Sequence, residues 1–372
     1  MISIHNYSYW LAETANGKFF KGNDWVIADE GHLLDNAVSS FLTITITPKL
    51  QAQLQSLGIV VNGDRSLLTT WKEYAMLSVA ACSNKLNGLK EFTSEWKSWA
   101  RIGQQCGDLS YVQGDLVFQQ GSSIRIQPLW CPPVDEVLLG DGKGARLLIM
   151  SATMLDLETF STYHGLNVDK SPDDVQYIDL PWTFHPDRRM IKYTPVAWVS
   201  GRNPAATAPL LARAVDHIIA EAGGKGIIHT HSRALLEAVT PLIKYRSLYV
   251  HTREVNRGEL IQRFKDDPKP SWIISPSIDV GEDFPYDVAR TQIILKVPFP
   301  GRDDPVVAQR YMEDKLWYNY VTMQDLWQTC GRVCRAEDDY GLTYVLDYNF
   351  GRVVEKHPQW VPQGIRESIE GL

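Results

Sequence analysis

The sequence predicts an α/β protein: two parallel-sheet domains, the first interrupted by a mainly helical insertion. Three observations carry this expectation. Short apolar runs that end in polar or small residues recur along the chain, as in WVIADE from Trp25, RLLIMSAT from Arg146, GIIHTHS from Gly226, WIISPS from Trp272, IILKVPFP from Ile293 and TYVLD from Thr343. Runs apolar at successive positions are the mark of strands buried on both faces of a parallel sheet. Helical patterns separate several of these runs. The clearest spans Asn203 to Ala222, with Asn203 placed to N-cap, Pro204 in the first turn, Gly223 and Gly224 past the end, and an apolar stripe of Leu210, Leu211, Ala214, Val215, Ile218 and Ile219. From Leu50 to Leu129, by contrast, strand signals thin out and helix formers dominate.

A length of 372 residues exceeds what one core usually organises. The break near Leu180 to Arg189, LPWTFHPDRR, carries two prolines before strand and helix patterns resume, and it predicts the domain boundary. The expected division is residues 1–49 with 130–182 as the first domain, 50–129 as the insertion and 183–372 as the second domain. With 44% apolar and 22% charged residues, the composition excludes collagen, coiled coil and wholesale disorder. A formal net charge of −7 argues against a generally basic nucleic-acid coat, although a local basic groove fits within an acidic total. Cys82, Cys106, Cys131, Cys330 and Cys334 form no C-x-x-C pair, which fits neither a disulfide framework nor a common zinc spacing and points to a reducing, cytoplasmic compartment. No apolar run approaches the ~18 residues of a membrane span, and MISIHNYSYW lacks a secretion signal's pattern.

Four strings carry chemistry. WVIADEGH brings Asp29 and Glu30 to a strand's carboxyl end, followed by Gly31 and His32. Paired carboxylates there offer the hard oxygen ligands that magnesium needs and an acid beside an attacking water; a solvated pair capping the next helix is the simpler alternative. RLLIMSATM repeats the design with the hydroxyls of Ser151 and Thr153, which can bridge sites by hydrogen bonds, or can cap a helix near Met154. In QTCGRVCR, helical spacing would put Gln328, Gly331, Arg332 and Arg335 on one side, two forked guanidiniums suited to polyphosphate, with Cys330 and Cys334 opposite as core packing. A surface cluster with Asp338 and Asp339 is the alternative. SPSIDVGEDFPYD offers Ser275, Ser277, Gly281 and Asp283 in a loop of the type that grips phosphates and sugars, with Asp283 meeting a ribose or the opposing arginines. Weaker signals are His229 and His231, two apart at a strand end and able to ligate a metal but with no third ligand evident, and Trp71, Trp96 and Trp99, which could stack bases, although helical spacing favours Trp96 and Trp99 as core.

In this order the four strings resemble the motifs of superfamily 2 helicases, in detail the DinG/XPD-like branch of DEAH-type enzymes. DEGH resembles motif II, SAT motif III, SPSIDVGEDF motif V, and QTCGRVCRAEDDYG motif VI; NYSYWL, VPFPGRDDP and HPQW add support. The resemblance implies two RecA-like domains and an Arch-like insertion. It implies that Asp29 and Glu30 hold magnesium and activate water, that His32 with Ser151 and Thr153 couples hydrolysis to movement, and that Arg332 and Arg335 reach the γ-phosphate of ATP. Gln328, Asp283, Gly281 and Gly331 would complete the nucleotide site, and Ser232, Ser275 and Ser277 would touch a single-strand backbone. The implied substrate is single-stranded DNA, with RNA open, moved 5′ to 3′.

No G-x-x-x-x-G-K-[ST] string occurs among the 372 residues, and GDGKGAR and AGGKGII lack its lysine–hydroxyl pair. The branch carries that phosphate cradle, and any iron–sulfur cysteines, upstream of the DE box, so the first RecA-like domain is expected to be N-terminally incomplete and no cluster is expected within this chain. The expected function is the C-terminal portion of an ATP-dependent DNA helicase acting in repair or replication, hydrolysing ATP with magnesium once a second polypeptide supplies the Walker A loop. A non-catalytic strand-binding remnant and a truncated reading of a longer enzyme are the alternatives.

Overall fold

The computed structural model describes residues 4–16, 24–110, 116–139, 146–166, 175–180, 184–278 and 282–372, and it divides into two compact units. The first comprises residues 1–151, 158–174 and 302–313; the second comprises 152–157, 175–301 and 314–372.

In the first unit, α1 (Tyr7–Asn16) precedes β1 (Trp25–Ala28) and α2 (Leu34–Leu42). The insertion then runs through β2 (Ile44–Ile46), α3 (Pro48–Gln55), α4 (Leu68–Asn87), α5 (Ser94–Ser110), β3 (Leu116–Gln120) and β4 (Ser123–Gln127). It is followed by α6 (Val134–Leu139), β5 (Arg146–Ile149) and α7 (Leu157–His164). β1 and β5 pair in parallel, Ala28 opposite Ile149, which sets the DEGH and SAT strings side by side at the carboxyl ends. Leu11, Ala28, Leu34, Val38, Val134 and Leu138 form the core beneath them.

The insertion is helical as expected but also holds a sheet the sequence reading did not anticipate. β2, β4 and β3 form an antiparallel sheet, beginning at Ile44 rather than at Leu50. These strands are short and one-faced, so they lack the apolar runs that betray a doubly covered strand. Trp71 is fully buried in this unit's core with Tyr74 and Ile102, and its indole donates to the Arg65 carbonyl at 2.8 Å. It is a core residue, not a base-stacking one. Trp99 packs on the same cluster, while Trp96 lies against Phe92.

The second unit runs through β6 (Ile191–Ala197), α8 (Pro204–Ala222), β7 (Gly226–His229), α9 (Arg233–Val239), β8 (Leu248–Val250), α10 (Arg257–Asp266), β9 (Trp272–Ser275) and β10 (Thr291–Ile294). The following α11 (Pro305–Glu313) belongs to the first unit. The second unit resumes with α12 (Lys315–Cys330), β11 (Leu342–Asp347), α13 (Asn349–Lys356), α14 (Gln363–Arg366) and β12 (Ile369–Glu370). Among the described residues seven strands form one parallel sheet in the order β12-β6-β11-β10-β7-β9-β8. Side chains alternate between its faces. Ile228 and Ile274 pack with the α8 and α9 residues Leu211, Val215 and Leu235, whereas Ile227 and Ile273 pack with Leu260 and Phe264 of α10. Gly226 lets β7 approach β9, since a Cβ there would sit 2.4 Å from the Trp272 ring.

α8 matches its expected span, although Asn203 makes no side-chain capping bond and Leu210 of the expected stripe is half exposed. Among the described residues no helix is long and apolar enough to cross a membrane, and all five cysteines are buried free thiols.

Candidate functional site

The site on the first unit starts from the β1–β5 register. The amide of Met150 donates to the Ala28 carbonyl at 2.9 Å and that of Gly31 to the Met150 carbonyl at 2.7 Å, so the two strand ends are stitched together. Gly31 is required here, because a Cβ would meet Ile149 Cγ2 at 2.3 Å. Alanine at this position is therefore expected to destabilise the unit by about 1–3 kcal/mol through overpacking. Thermal unfolding of Gly31→Ala, alone and with Ile149→Ala, checks this: the double variant recovers part of the loss.

Glu30 adopts the left-handed conformation, φ 52° and ψ 49°, a strain of about 1–3 kcal/mol for a non-glycine residue. The turn leaves Asp29 and Glu30 exposed at the strand end. Their donor set is two carboxylates, chemistry that fits magnesium. His32 is nearly buried, and its Nδ1 lies 3.0 Å from Ser151 Oγ and 3.3 Å from Glu30 Oε2. The expected link between His32 and Ser151 is thus a direct contact. Ser151 does not cap a helix at Met154, since α7 begins at Leu157. Tyr7, a residue the sequence reading did not single out, donates its hydroxyl to the Asp29 carbonyl. Burial, reinforced by the charges of Asp29 and Glu30, pushes that phenol up to about 12, so it stays a donor.

In the second unit Thr153 is buried, and its Oγ1 accepts from Gln328 Nε2 at 3.0 Å. Gln324 Nε2 donates to the Thr153 carbonyl at 3.0 Å, and Tyr320 donates to the Met154 carbonyl. These three bonds explain why residues 152–157 belong to the second unit. Ser151 and Thr153, two residues apart, are thereby anchored in different units.

The QTCGRVCR string departs from its expected geometry. α12 ends at Cys330 with Gly331 at its C-cap, so Gln328 is helical but Arg332 and Arg335 are not, and one helical side does not unite them. The ladder already breaks at Arg332, whose amide donates to the Thr329 carbonyl at 3.2 Å, and Asp339 holds the turn that follows. In a continuing helix the Arg335 amide would donate to the Gly331 carbonyl; here it donates to Asp339 Oδ2 at 2.9 Å, while the Gly331 carbonyl accepts from Arg335 Nη1 at 3.2 Å. Cys334 takes a left-handed φ of 68° at the break. The cysteines are core residues as expected, but not one helical turn apart; burial pushes the Cys330 thiol up to about 12.

Asp339 is fully buried and also accepts from the amides of Tyr286 at 3.1 Å and Tyr340 at 2.8 Å and from the Arg290 guanidinium. Burial opposes its ionisation, yet these donors outweigh burial and hold its pKa below the usual carboxylate value. Rather than a surface salt-bridge partner, Asp339 is the buried organiser of the arginine turn. The acidic D-Y-G after the second arginine was its signal in the sequence.

The SPSIDVGEDF loop is ringed by cations. Arg257 Nη1 donates to the Ser277 carbonyl at 3.2 Å, Lys265 pairs with Glu282 at 2.8 Å, Arg332 Nη1 donates to the Glu282 carbonyl at 3.3 Å, and Arg335 pairs with Asp283. Arg332 is buried, Arg335 exposed. Of the two partners expected for Asp283, the structure shows the arginine. Gly281 lies outside the described residues.

The serines fall into separate roles. Ser275 is buried, its Oγ 2.7 Å from His251 Nδ1 and accepting from the Ser277 amide at 3.1 Å. This corrects its expected contact with a nucleic-acid backbone: the hydroxyl is turned inward to brace the loop. Ser232 N-caps α9, accepting from the Leu235 amide at 3.3 Å. Ser277 remains half-buried on the loop. His229 and His231 stack at 5.7 Å, with His229 Nε2 3.2 Å from Gln292 Oε1. Among the described residues no group of three or more His, Cys, Asp or Glu side chains is placed to hold a metal.

Residues 215–366 match the helicase C-terminal domain family. XPD/RAD3, the helicase subunit of general transcription and DNA repair factor IIH from Saccharomyces cerevisiae, is 26% identical over 99 residues, 24% of this chain and 13% of the relative. The match thus spans a small part of that relative's length. A solved XPD helicase shares the fold with a TM-score of 0.58 at 13% identity, over 98% of this chain and 72% of its own. Xpd4 of S. tokodaii does so with a TM-score of 0.58 at 14% identity, over 95% and 79%. The second unit thus carries most of the match to a helicase C-terminal domain, and the chain shares its fold with solved XPD helicases. In that domain and in that fold the chain is similar to XPD-like helicases.

Proposed function

We propose that this chain is the C-terminal portion of an ATP-dependent DNA helicase, that it couples ATP hydrolysis to translocation along single-stranded DNA, and that a second polypeptide supplies the Walker A loop. The observation that carries the reading is the division of the SAT tripeptide: Ser151 is bound by His32 beside the acid pair, and Thr153 by Gln328 beside the arginine turn. A change at either end is transmitted through a single intervening residue.

Asp29 and Glu30 would hold magnesium, which, when bound, neutralises phosphate charge. Glu30 positions the attacking water and accepts its proton. Arg332 and Arg335 stabilise charge on the transferring phosphoryl group, and Arg335 must exchange its Asp283 partner to do so. Absence of any Walker A string supports a P-loop supplied from outside these 372 residues. So does the β1–β5 pair, whose Trp25, Ile27, Leu148 and Met150 are exposed although parallel sheets ordinarily have both faces covered. Strand polarity, 5′ to 3′, is taken from the branch resemblance.

The test is steady-state ATP turnover by this chain alone and co-expressed with a P-loop-bearing partner, each with and without single-stranded DNA. Strand-stimulated turnover is expected only with the partner, and Glu30→Gln should lower it by about 10²-fold or more. Turnover by the chain alone would remove the trans P-loop. Failure of the complemented pair to respond to single strands would remove the helicase reading.

A further inference from the structure

The carboxyl ends of β6 and β11 hold two large rings in the open. Trp198, directly after β6, is 58% exposed, and Tyr348, directly after β11, is 38% exposed. Their rings stack at 5.3 Å with planes 24° apart. Neither residue lies in a helicase motif string.

The backbone under both rings is firmly built. Asp347 is fully buried and accepts from the amides of Val199 at 3.2 Å, Val297 at 2.9 Å and Asn349 at 3.0 Å, and from Asn349 Nδ2 at 2.9 Å. The Tyr348 amide donates to the Ala197 carbonyl at 3.0 Å, and Tyr193 donates its hydroxyl to the Tyr348 carbonyl at 3.3 Å. The residues flanking each ring are therefore pinned, and the exposed pair cannot fold inward without stripping a buried carboxylate of its donors. Cationic residues flank the pair in sequence: exposed Arg202 in the loop after β6, and exposed Arg352 one helical turn beyond Tyr348. Ligands of parallel α/β sheets bind beyond the strands' carboxyl ends. Exposed aromatic faces beside cations are what single-stranded nucleic acid uses, bases on the rings and phosphates on the guanidiniums.

We propose that Trp198 and Tyr348 form a stacking platform for an unpaired base of a single nucleic-acid strand, with Arg202 and Arg352 drawing the adjoining phosphates. This rests on the single-strand reading above and adds a contact outside the motifs. A stacking contact accepts any base and releases no counterions, so its loss weakens binding without changing salt dependence.

The experiment is fluorescence anisotropy of a labelled 20-nucleotide dT strand titrated with the full chain across a salt series. Trp198→Ala is expected to bind about 5- to 100-fold more weakly, the size of one lost stack, with an unchanged slope of log K against log salt. Trp198→Phe should restore most of the affinity. Arg202→Ala should lower the slope by about one. Should Trp198→Ala fail the circular dichroism check for folding, Tyr348→Ala takes its place. A folded alanine variant within two-fold of wild type, or a phenylalanine variant as weak as alanine, overturns the platform while leaving the helicase reading intact. Wild-type protein that binds no strand at all overturns both.

Discussion

Replacing Asp339 with alanine will destabilise the second unit by about 3–5 kcal/mol, the cost of stripping a buried ion pair of one partner. The carboxylate accepts from three backbone amides and from Arg290, whose side chain is only 24% exposed, so the loss leaves several polar groups unsatisfied together. For a unit of this size the melting transition should fall by roughly 10 °C. The neighbouring Asp338 supplies the control. Exposed Asp338 accepts from the Tyr286 hydroxyl at 2.9 Å, and Asp338→Ala should shift stability by no more than about 0.5 kcal/mol.

The pH dependence of the Asp339 effect has a definite sign. Its folded pKa is held below the ordinary carboxylate value. The stability it contributes is therefore fully present above that ordinary value, near pH 4, and is lost as pH falls through the lower folded value. The melting difference between wild type and Asp339→Ala should accordingly be constant near neutrality and shrink on acidification below about pH 4. A difference that grows on acidification would show that the wild-type carboxyl is not the ionised group. Asp339→Ala should also loosen the turn holding Arg335, whose amide donates to Asp339 Oδ2.

Arg310→Ala will release α11 from the first unit. The Arg310 guanidinium grips Asp35 bidentately, its second bond 3.1 Å long, and its Nε donates to the Leu129 carbonyl at 2.5 Å. Its Cζ lies 5.0 Å from the centroid of the Trp130 ring, and the Trp130 indole donates to Glu313 at 3.0 Å. The arginine side chain is 4% exposed and the aspartate 16%. Removing it strands a nearly buried carboxylate at about 3–5 kcal/mol. Amide hydrogen exchange over residues 305–313 should accelerate by about 10²-fold or more, since local opening is governed by these contacts. Arg310→Lys should rescue little, because a point charge cannot reproduce the planar fork. Unchanged protection over 305–313 would mean that other contacts hold the helix.

How much of this was legible in the sequence follows from the range of each signal. The strands β1, β5, β7, β9, β10 and β11 announce themselves as short, mainly apolar runs; β7, β9 and β10 are buried along their whole length, whereas β1 and β5 leave Trp25, Ile27 and Leu148 exposed. The first of these was read from its opening residue, Trp25, to the acids at its end, as the structure has it. The short strands β2, β3, β4 and β8 carry no such run, and β12 is two residues long. The site residues are likewise carried by separate short strings, three of them at strand ends and one at the end of α12. The link of His32 to Ser151 was implied by the family resemblance, and Asp283 meeting an arginine was one of its two expected partners; the structure brings both pairs into contact.

What the sequence by itself determined was the class of fold, the order of the motifs and the residue types that carry chemistry. These are local properties, written in hydrophobic period and in short strings. Only the tertiary structure decided how the turn of Arg332 and Arg335 beyond the helix is held, because the acceptor that holds it, Asp339, is set against Tyr286 and Arg290, about fifty positions back along the chain. The same holds for Ser275, whose hydroxyl is claimed by His251 from a neighbouring strand's end, and for Arg310, whose partner Asp35 lies 275 positions away. A helical period is written in the sequence, whereas the acceptor that holds the turn beyond it is brought into place by the folded sheet, not by the neighbouring sequence.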